Sequence, residues 1–335
     1  MKNLFLSLAV IATIFASCTP ETETPPPPVS GGINTGDLRL FVIDTAKVNT
    51  VTATGTSETT ILNRKQNINS YIGSFSLNNG ASKFVYLDNQ SSFINGIGTY
   101  TKTVRVANAN GSGDIAIYTA PASTNTVSTE INYVKYGISK IYFTTTTQTF
   151  VGGAVSNSVK INSTNFDGTG LLSENYNEAP LSVYRADLSS DGKYLTTMQS
   201  APNIPRFVII DRTGDNGAGS VYYQENLTTA TASGSAPIFS YDNKFAYYAY
   251  AENQTLKINI INMATKASEI KTIATGFTAT SAYMTISVAS DNNRGVLVVD
   301  SSNNLPTKTY VFNLANGNST SFNNNDKNVV EVYAY

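Results

Sequence analysis

The chain has 335 residues, of which only 13% are charged; 22 Lys and Arg stand against 23 Asp and Glu, with no His, no Trp and a single Cys. The near-neutral balance leaves no basic footprint for nucleic acid and no cationic amphipathic stretch for a lipid surface. Without His, and with its one thiol at Cys18, the chain has no Ser-His-Asp or Cys-His catalysis and no His- or thiolate-ligated metal site open to it; no cofactor is expected, and only carboxylate-only chemistry or a hard cation held by oxygen remains.

Lys2 precedes an apolar run, Leu4 to Phe15, broken only by Ser7 and Thr13. Small residues Ala16 and Ser17 then lead into Cys18. A segment this short with these flanks predicts a secretory signal over residues 1–17, not a retained transmembrane helix. Phe15-Ala16-Ser17-Cys18 resembles the lipobox of bacterial lipoproteins, with Phe15 where Leu is commoner. The resemblance implies cleavage before Cys18 and lipidation of its thiol. It also implies a protein anchored to the outer membrane on its periplasmic or outer face, with the membrane as its first partner. Two or three acyl chains anchor durably, where one binds marginally.

Residues 18–34 read as the lipidated cysteine and a tether. Pro25 to Pro28 favour polyproline II, a semi-rigid spacer, and the flanking Thr, Glu, Ser and Gly offer nothing to a core. Glu21 and Glu23 resemble the surface-export signals that follow the lipidated cysteine in Bacteroidetes lipoproteins, which are denser in acidic residues.

Residues 35–335 alternate apolar and polar almost throughout, as in Leu38-Arg39-Leu40-Phe41-Val42-Ile43, Lys102-Thr103-Val104-Arg105-Val106 and Leu256-Lys257-Ile258-Asn259-Ile260. With Thr, Val, Ile and Tyr between Gly, Asn and Asp breaks, this predicts many short strands and no helix. Asp44-Thr45-Ala46, between two such runs, resembles the pattern at which Bacteroidetes O-glycosylate exported proteins, which would make Thr45 an acceptor. An ordinary turn is the competing reading.

One phrase, a polar turn followed by an apolar strand, recurs along the chain. It begins at Ser76, Lys135, Asp187, Ser240 and Ala289, and its anchors Phe84, Ile141, Tyr194, Phe245 and Val296 are 57, 53, 51 and 51 residues apart. A second alternating strand follows each, as in Phe207-Val208-Ile209-Ile210-Asp211, and a Gly-bearing turn after several of them leads to a last strand. Strand, turn, strand, loop, strand, turn, strand is a propeller blade, which buries its faces only by stacking on its neighbours. Ser189-Ser190-Asp191-Gly192-Lys193-Tyr194 and Asn165-Phe166-Asp167-Gly168-Thr169-Gly170 are similar to the blade motifs of TolB-type and WD40-like bacterial propellers. Five full repeats lie between about residues 71 and 325. Residues 38–63 hold three strands without a first, and 328–335 a lone apolar strand. The expected fold is therefore all-β, a propeller of six four-stranded blades closed by pairing of the N- and C-terminal strands. A pair of β-sandwiches is the alternative, and a seventh blade would need extra strands in 92–130 or 146–180.

The first strand of each blade lines a propeller's channel, so Lys135, Arg185 and Asp187 are expected to face it. An ion-pair network that stiffens the channel competes there with a ligand site. Tyr241, Tyr247, Tyr248 and Tyr250 cluster, with core packing the favoured role. The expected function is a lipid-anchored, non-catalytic envelope protein that binds a protein, glycan or small molecule at one face or in the channel. A siderophore or metal-chelate receptor needs a basic, aromatic mouth. A carboxylate-only glycoside hydrolase or lyase needs two converging acids about 5–9.5 Å apart.

Overall fold

The computed structural model describes residues 33, 38–53, 57–64, 70–94, 97–176, 186–200, 205–213, 219–227, 234–277, 282–301, 307–323 and 328–334. The chain divides into units 1–34 and 35–335, and all the strands belong to the second. The expected signal, Cys18 and the Pro-rich tether lie outside the described residues.

The strands form six four-stranded antiparallel sheets, the blades of a β-propeller. Blade 1 consists of β1 (Leu38–Asp44), β2 (Lys47–Thr52) and β3 (Glu58–Asn63), with β24 (Asn328–Ala334) as its innermost strand. Blade 2 is β4 (Tyr71–Leu77), β5 (Lys83–Ile94), β6 (Ile97–Asn108) and β7 (Ile115–Thr119). Blade 3 is β8 (Val127–Tyr136), β9 (Ile141–Val151), β10 (Ala154–Thr164) and β11 (Leu172–Tyr176). Blade 4 is β12 (Ala186–Leu188), β13 (Tyr194–Ser200), β14 (Pro205–Asp211) and β15 (Ser220–Asn226). Blade 5 is β16 (Ile238–Phe239), β17 (Phe245–Glu252), β18 (Thr255–Asn262) and β19 (Ser268–Thr275). Blade 6 is β20 (Ala282–Val288), β21 (Arg294–Ser301), β22 (Lys308–Asn313) and β23 (Ser319–Asn323).

The C-terminal strand closes the ring as the sequence predicts. β24 runs antiparallel to β1, from Leu38↔Ala334 to Ile43↔Asn328. It supplies the first strand that residues 38–63 lack. The anchors Phe84, Ile141, Tyr194, Phe245 and Val296 all fall at the start of the second strand of their blades. The described residues of 92–130 and 146–180 form no seventh blade. They extend the hairpins β5–β6 and β9–β10 and supply β7, β11 and the start of β8.

Burial explains the strand types. Second strands are covered on both sides by neighbouring blades, so β17 reads as a nearly continuous buried run, whereas the outermost strands β15 and β19 are largely exposed. Apolar seams join successive blades. Phe41, Phe75 and Phe84 seal blades 1 and 2, and Val85, Val104, Ile131 and Phe143 seal blades 2 and 3. Phe207, Phe239 and Tyr248 seal blades 4 and 5, and Tyr247, Leu297 and Phe312 seal blades 5 and 6. Each large side chain so buried contributes about 1.5–3 kcal/mol.

The repeated turn between the first and second strands is a structural device. In blade 4 the Ser189 hydroxyl donates to Asp191 Oδ1 (2.5 Å) and accepts the Tyr194 N–H (2.8 Å), while Gly192 adopts φ +72°. Blade 5 repeats this with Ser240, Asp242 and Phe245, and Asn243 takes the left-handed position at φ +59°. Gly and Asn occupy the position because both tolerate that region. The turns also stitch blades together. Ile138 N–H donates to Ser190 O (2.7 Å), and Ser190 N–H donates to Asn243 Oδ1 (2.8 Å).

Candidate functional site: the central channel

Antiparallel order puts all first-to-second-strand turns at one end of the disc. The channel opens there as a cavity of about 770 Å³ lined from five blades, including Ser74, Phe75, Tyr133, Lys135, Asp187, Ile238, Met284 and Thr285. Ile138, Tyr241 and Phe166 stand around it as well. Among the described lining residues Lys135 is the only cation and Asp187 the only carboxylate.

These two residues, singled out by their place on first strands, meet. Lys135 on β8 donates from Nζ to both Asp187 oxygens on β12, at 3.1 and 3.2 Å. The Tyr133 hydroxyl also donates to Asp187 Oδ1, and the Phe239 N–H donates to Oδ2 at 2.8 Å. Tyr133 in turn accepts the Leu188 N–H at 3.1 Å. One carboxylate thus ties blades 3, 4 and 5. A desolvated ion pair is favourable only when further hydrogen bonds satisfy it, and here they do. The pair therefore stiffens the channel and leaves little charge for a ligand. The rest of the described lining is neutral: Ser74, whose hydroxyl accepts the Val134 N–H at 3.2 Å, the exposed Thr285, and apolar side chains at the mouth.

Two other carboxylates come together elsewhere. Arg64 donates to Asp88 from Nε (3.0 Å) and Nη2 (2.8 Å) and reaches Asp114 at 3.6 Å. Asp114 also accepts from Arg105 and the Tyr86 hydroxyl, both at 2.9 Å. Burial first, and the Asp114 carboxylate second, push the Tyr86 phenol well above its ordinary value. Neither Asp lines the channel. Both are held by arginines where blades 1 and 2 meet.

Arg185 and Cys18 lie outside the described residues. Thr45 is exposed in the β1–β2 turn at φ +52°, and its backbone carbonyl accepts the Ile72 N–H at 2.8 Å. The tyrosines divide as strand alternation requires. Tyr248 and Tyr250 pack towards blade 4 and Tyr247 towards blade 6, all buried, while Tyr241 alone reaches the channel. The donors Tyr133 and Phe239 N–H were not marked in the sequence, because only the assembled ring brings them to Asp187. Among the described residues no group of three or more acidic side chains could hold a metal ion.

No protein-family model matches the sequence, and no curated protein matches it. Solved structures match the fold. TolB from Acinetobacter baumannii is 12% identical, the match covering 90% of this chain and 67% of that one, with a TM-score of 0.54. A putative TolB from Agrobacterium tumefaciens is 12% identical over 90% of this chain and 98% of that one (TM-score 0.52). A putative 6-phosphogluconolactonase from Bacteroides fragilis is 9% identical over 90% of this chain and 99% of that one (TM-score 0.50).

Proposed function

We propose that this protein is a lipid-anchored, non-catalytic binding protein of a bacterial cell envelope. In this reading the acyl chains on Cys18 hold it on the outer membrane, and an uncharged ligand or partner segment enters the channel at the turn end. The observation that carries the reading is the channel lining, in which a cavity of about 770 Å³ has, among the described residues, one cation and one carboxylate, each committed to the other. A basic mouth for an anionic chelate has no counterpart among these residues, nor has a pair of acids for glycoside hydrolysis. The chemistry named for the Bacteroides fragilis propeller involves a phosphorylated substrate, which asks for free cations. The lipobox resemblance of Phe15 to Cys18 supports the anchor.

Two measurements test this. Metabolic labelling with radioactive palmitate should mark the wild-type chain and not Cys18→Ser; an unlabelled wild type overturns the anchor. Immobilised residues 19–335 should bind a component of the detergent-solubilised envelope saturably. Thr285→Trp, which puts a bulky ring into the channel, should weaken that binding at least tenfold. Binding unchanged in this variant overturns the channel as the seat.

A further inference from the structure

We propose that a cleft between blades 2 and 3, away from the channel, is a second binding site, and that it takes a neutral saccharide. Strand register builds one wall. Tyr71 on β4 lies opposite Asn89 on β5, and Asn89 lies opposite Lys102 on β6. Tyr100, two residues before Lys102, shares its face. Nearer the turn end this same face carries Leu87 and Val104, which belong to the apolar seam with blade 3. At Asn89 the seam ends and a cavity of about 400 Å³ opens, with Glu130, Ser123 and Ser128 on its far side.

Asn89 is only 4% exposed, yet neither its amide nitrogen nor its amide oxygen has a hydrogen-bond partner in the protein. Each such orphan costs about 1–3 kcal/mol, and buried polar groups are otherwise satisfied in the great majority of cases. The fold keeps the amide free. The neighbouring Gln90 is engaged with Ser70, with the Arg64 carbonyl and with Asp88. Residue 73 is glycine, and a Cβ there would lie 2.8 Å from Asn89 Nδ2, so the glycine leaves room for that group.

The ligand class follows from what the walls offer. A carboxamide presents donors and an acceptor in one plane, which suits vicinal hydroxyls, each able both to give and to accept. Tyr71 and Tyr100 are 46% and 72% exposed, and their rings can cover the apolar face of a sugar while their hydroxyls stay wet. Lys102 is ion-paired with Glu130, so no cation is spare for an anionic ligand. Desolvation also lowers the Lys102 pKa, in keeping with a partly enclosed site. A cavity of this size is at the small end of ligand pockets, which suits a terminal sugar unit.

The test is saturation-transfer difference NMR on the full chain with the methyl glycosides of glucose, galactose, mannose, fucose and N-acetylglucosamine. At least one should receive saturation through its ring protons. Tyr100→Ala and Asn89→Leu should each weaken its Kd at least tenfold. Tyr100 is exposed, so its replacement leaves the fold intact, and Thr285→Trp should leave the signal unchanged because the channel is a separate site. No transfer to any glycoside, or transfer undiminished in Tyr100→Ala, overturns the proposal. So does transfer to a trialanine probe instead, which would assign the cleft to peptide.

Discussion

Asp187 and Asn89 are both buried polar residues in the same ring, and their surroundings are opposite. Asp187, near the turn end, accepts from Lys135, Tyr133 and the Phe239 N–H and so joins three blades. The side-chain amide of Asn89, towards the end where the β5–β6 hairpin closes, has no hydrogen-bond partner among the described residues. The ends differ in the same sense. At the turn end, short turns lock onto their neighbours through Ser190 and Asn243. At the other end β9 and β10 stay paired out to Val151 and Ala154, while β11 accompanies β10 only over Val159–Ser163. Phe150, Val151 and Val155 are left exposed at that tip. At Asp187 satisfied polar contacts hold three blades together, while at Asn89 an unpaired amide borders a cleft.

The largest effect should come from the closing strand. Deleting residues 328–335 removes the innermost strand of blade 1 and opens an edge on β1. Thermal unfolding should show a loss of about 5 kcal/mol or more, a large part of a domain's marginal stability. An unchanged Tm would mean that β24 does not close the ring.

Asp187→Ala comes next. It strands the Lys135 ammonium and two further donors, and should lower stability in urea by about 3–5 kcal/mol. Asp187→Asn should lose less, since it still accepts from Tyr133. Equal losses would make charge, not hydrogen bonding, the tie between blades.

Glycines at the two ends sharpen the contrast. Gly192 has φ +72°, and a Cβ there would sit 2.4 Å from the Tyr142 ring. Gly152 in the β9–β10 tip has φ +57° with nothing within 4 Å. Gly192→Ala should cost about 3 kcal/mol, combining left-handed strain with overpacking. Gly152→Ala should cost about 1 kcal/mol from the strain alone. Calorimetry of both variants reads the difference, and similar losses would remove the distinction between a packed end and a free one.

The smallest effect is predicted for Asn89→Leu, which removes an amide that binds nothing within the fold. Its unfolding free energy should lie within about 1 kcal/mol of wild type, on the stabilising side. A loss like that of Asp187→Ala would show that the amide supports the ring.

The fold was legible because its signals are local. The turns of blades 4 and 5 each carry their own Ser, Asp and Gly or Asn within six residues, so Ser189 to Tyr194 and Ser240 to Phe245 match each other in the sequence itself. The missing strand before Leu38 and the spare one after Asn328 pointed to closure by simple counting. Lys135 and Asp187 were found as first-strand residues, but the partners that define their role are 52 to 54 residues away in sequence. The sequence does not mark the full length of β6, since its first half, Ile97 to Lys102, has no continuous apolar face. Asn89 reads as one more polar residue in an alternating strand. Its isolation exists only once Tyr71, Lys102 and blade 3 stand around it.

The channel at the turn end is the proposed seat of the ligand. Its most direct test is a photo-crosslinking residue placed at Thr285 in the full chain in intact cells, with the same residue at Ile270, which is 53% exposed on β19, as the control. A discrete adduct is expected from position 285, absent from position 270. No adduct at 285, or the same adducts from both positions, would contradict it.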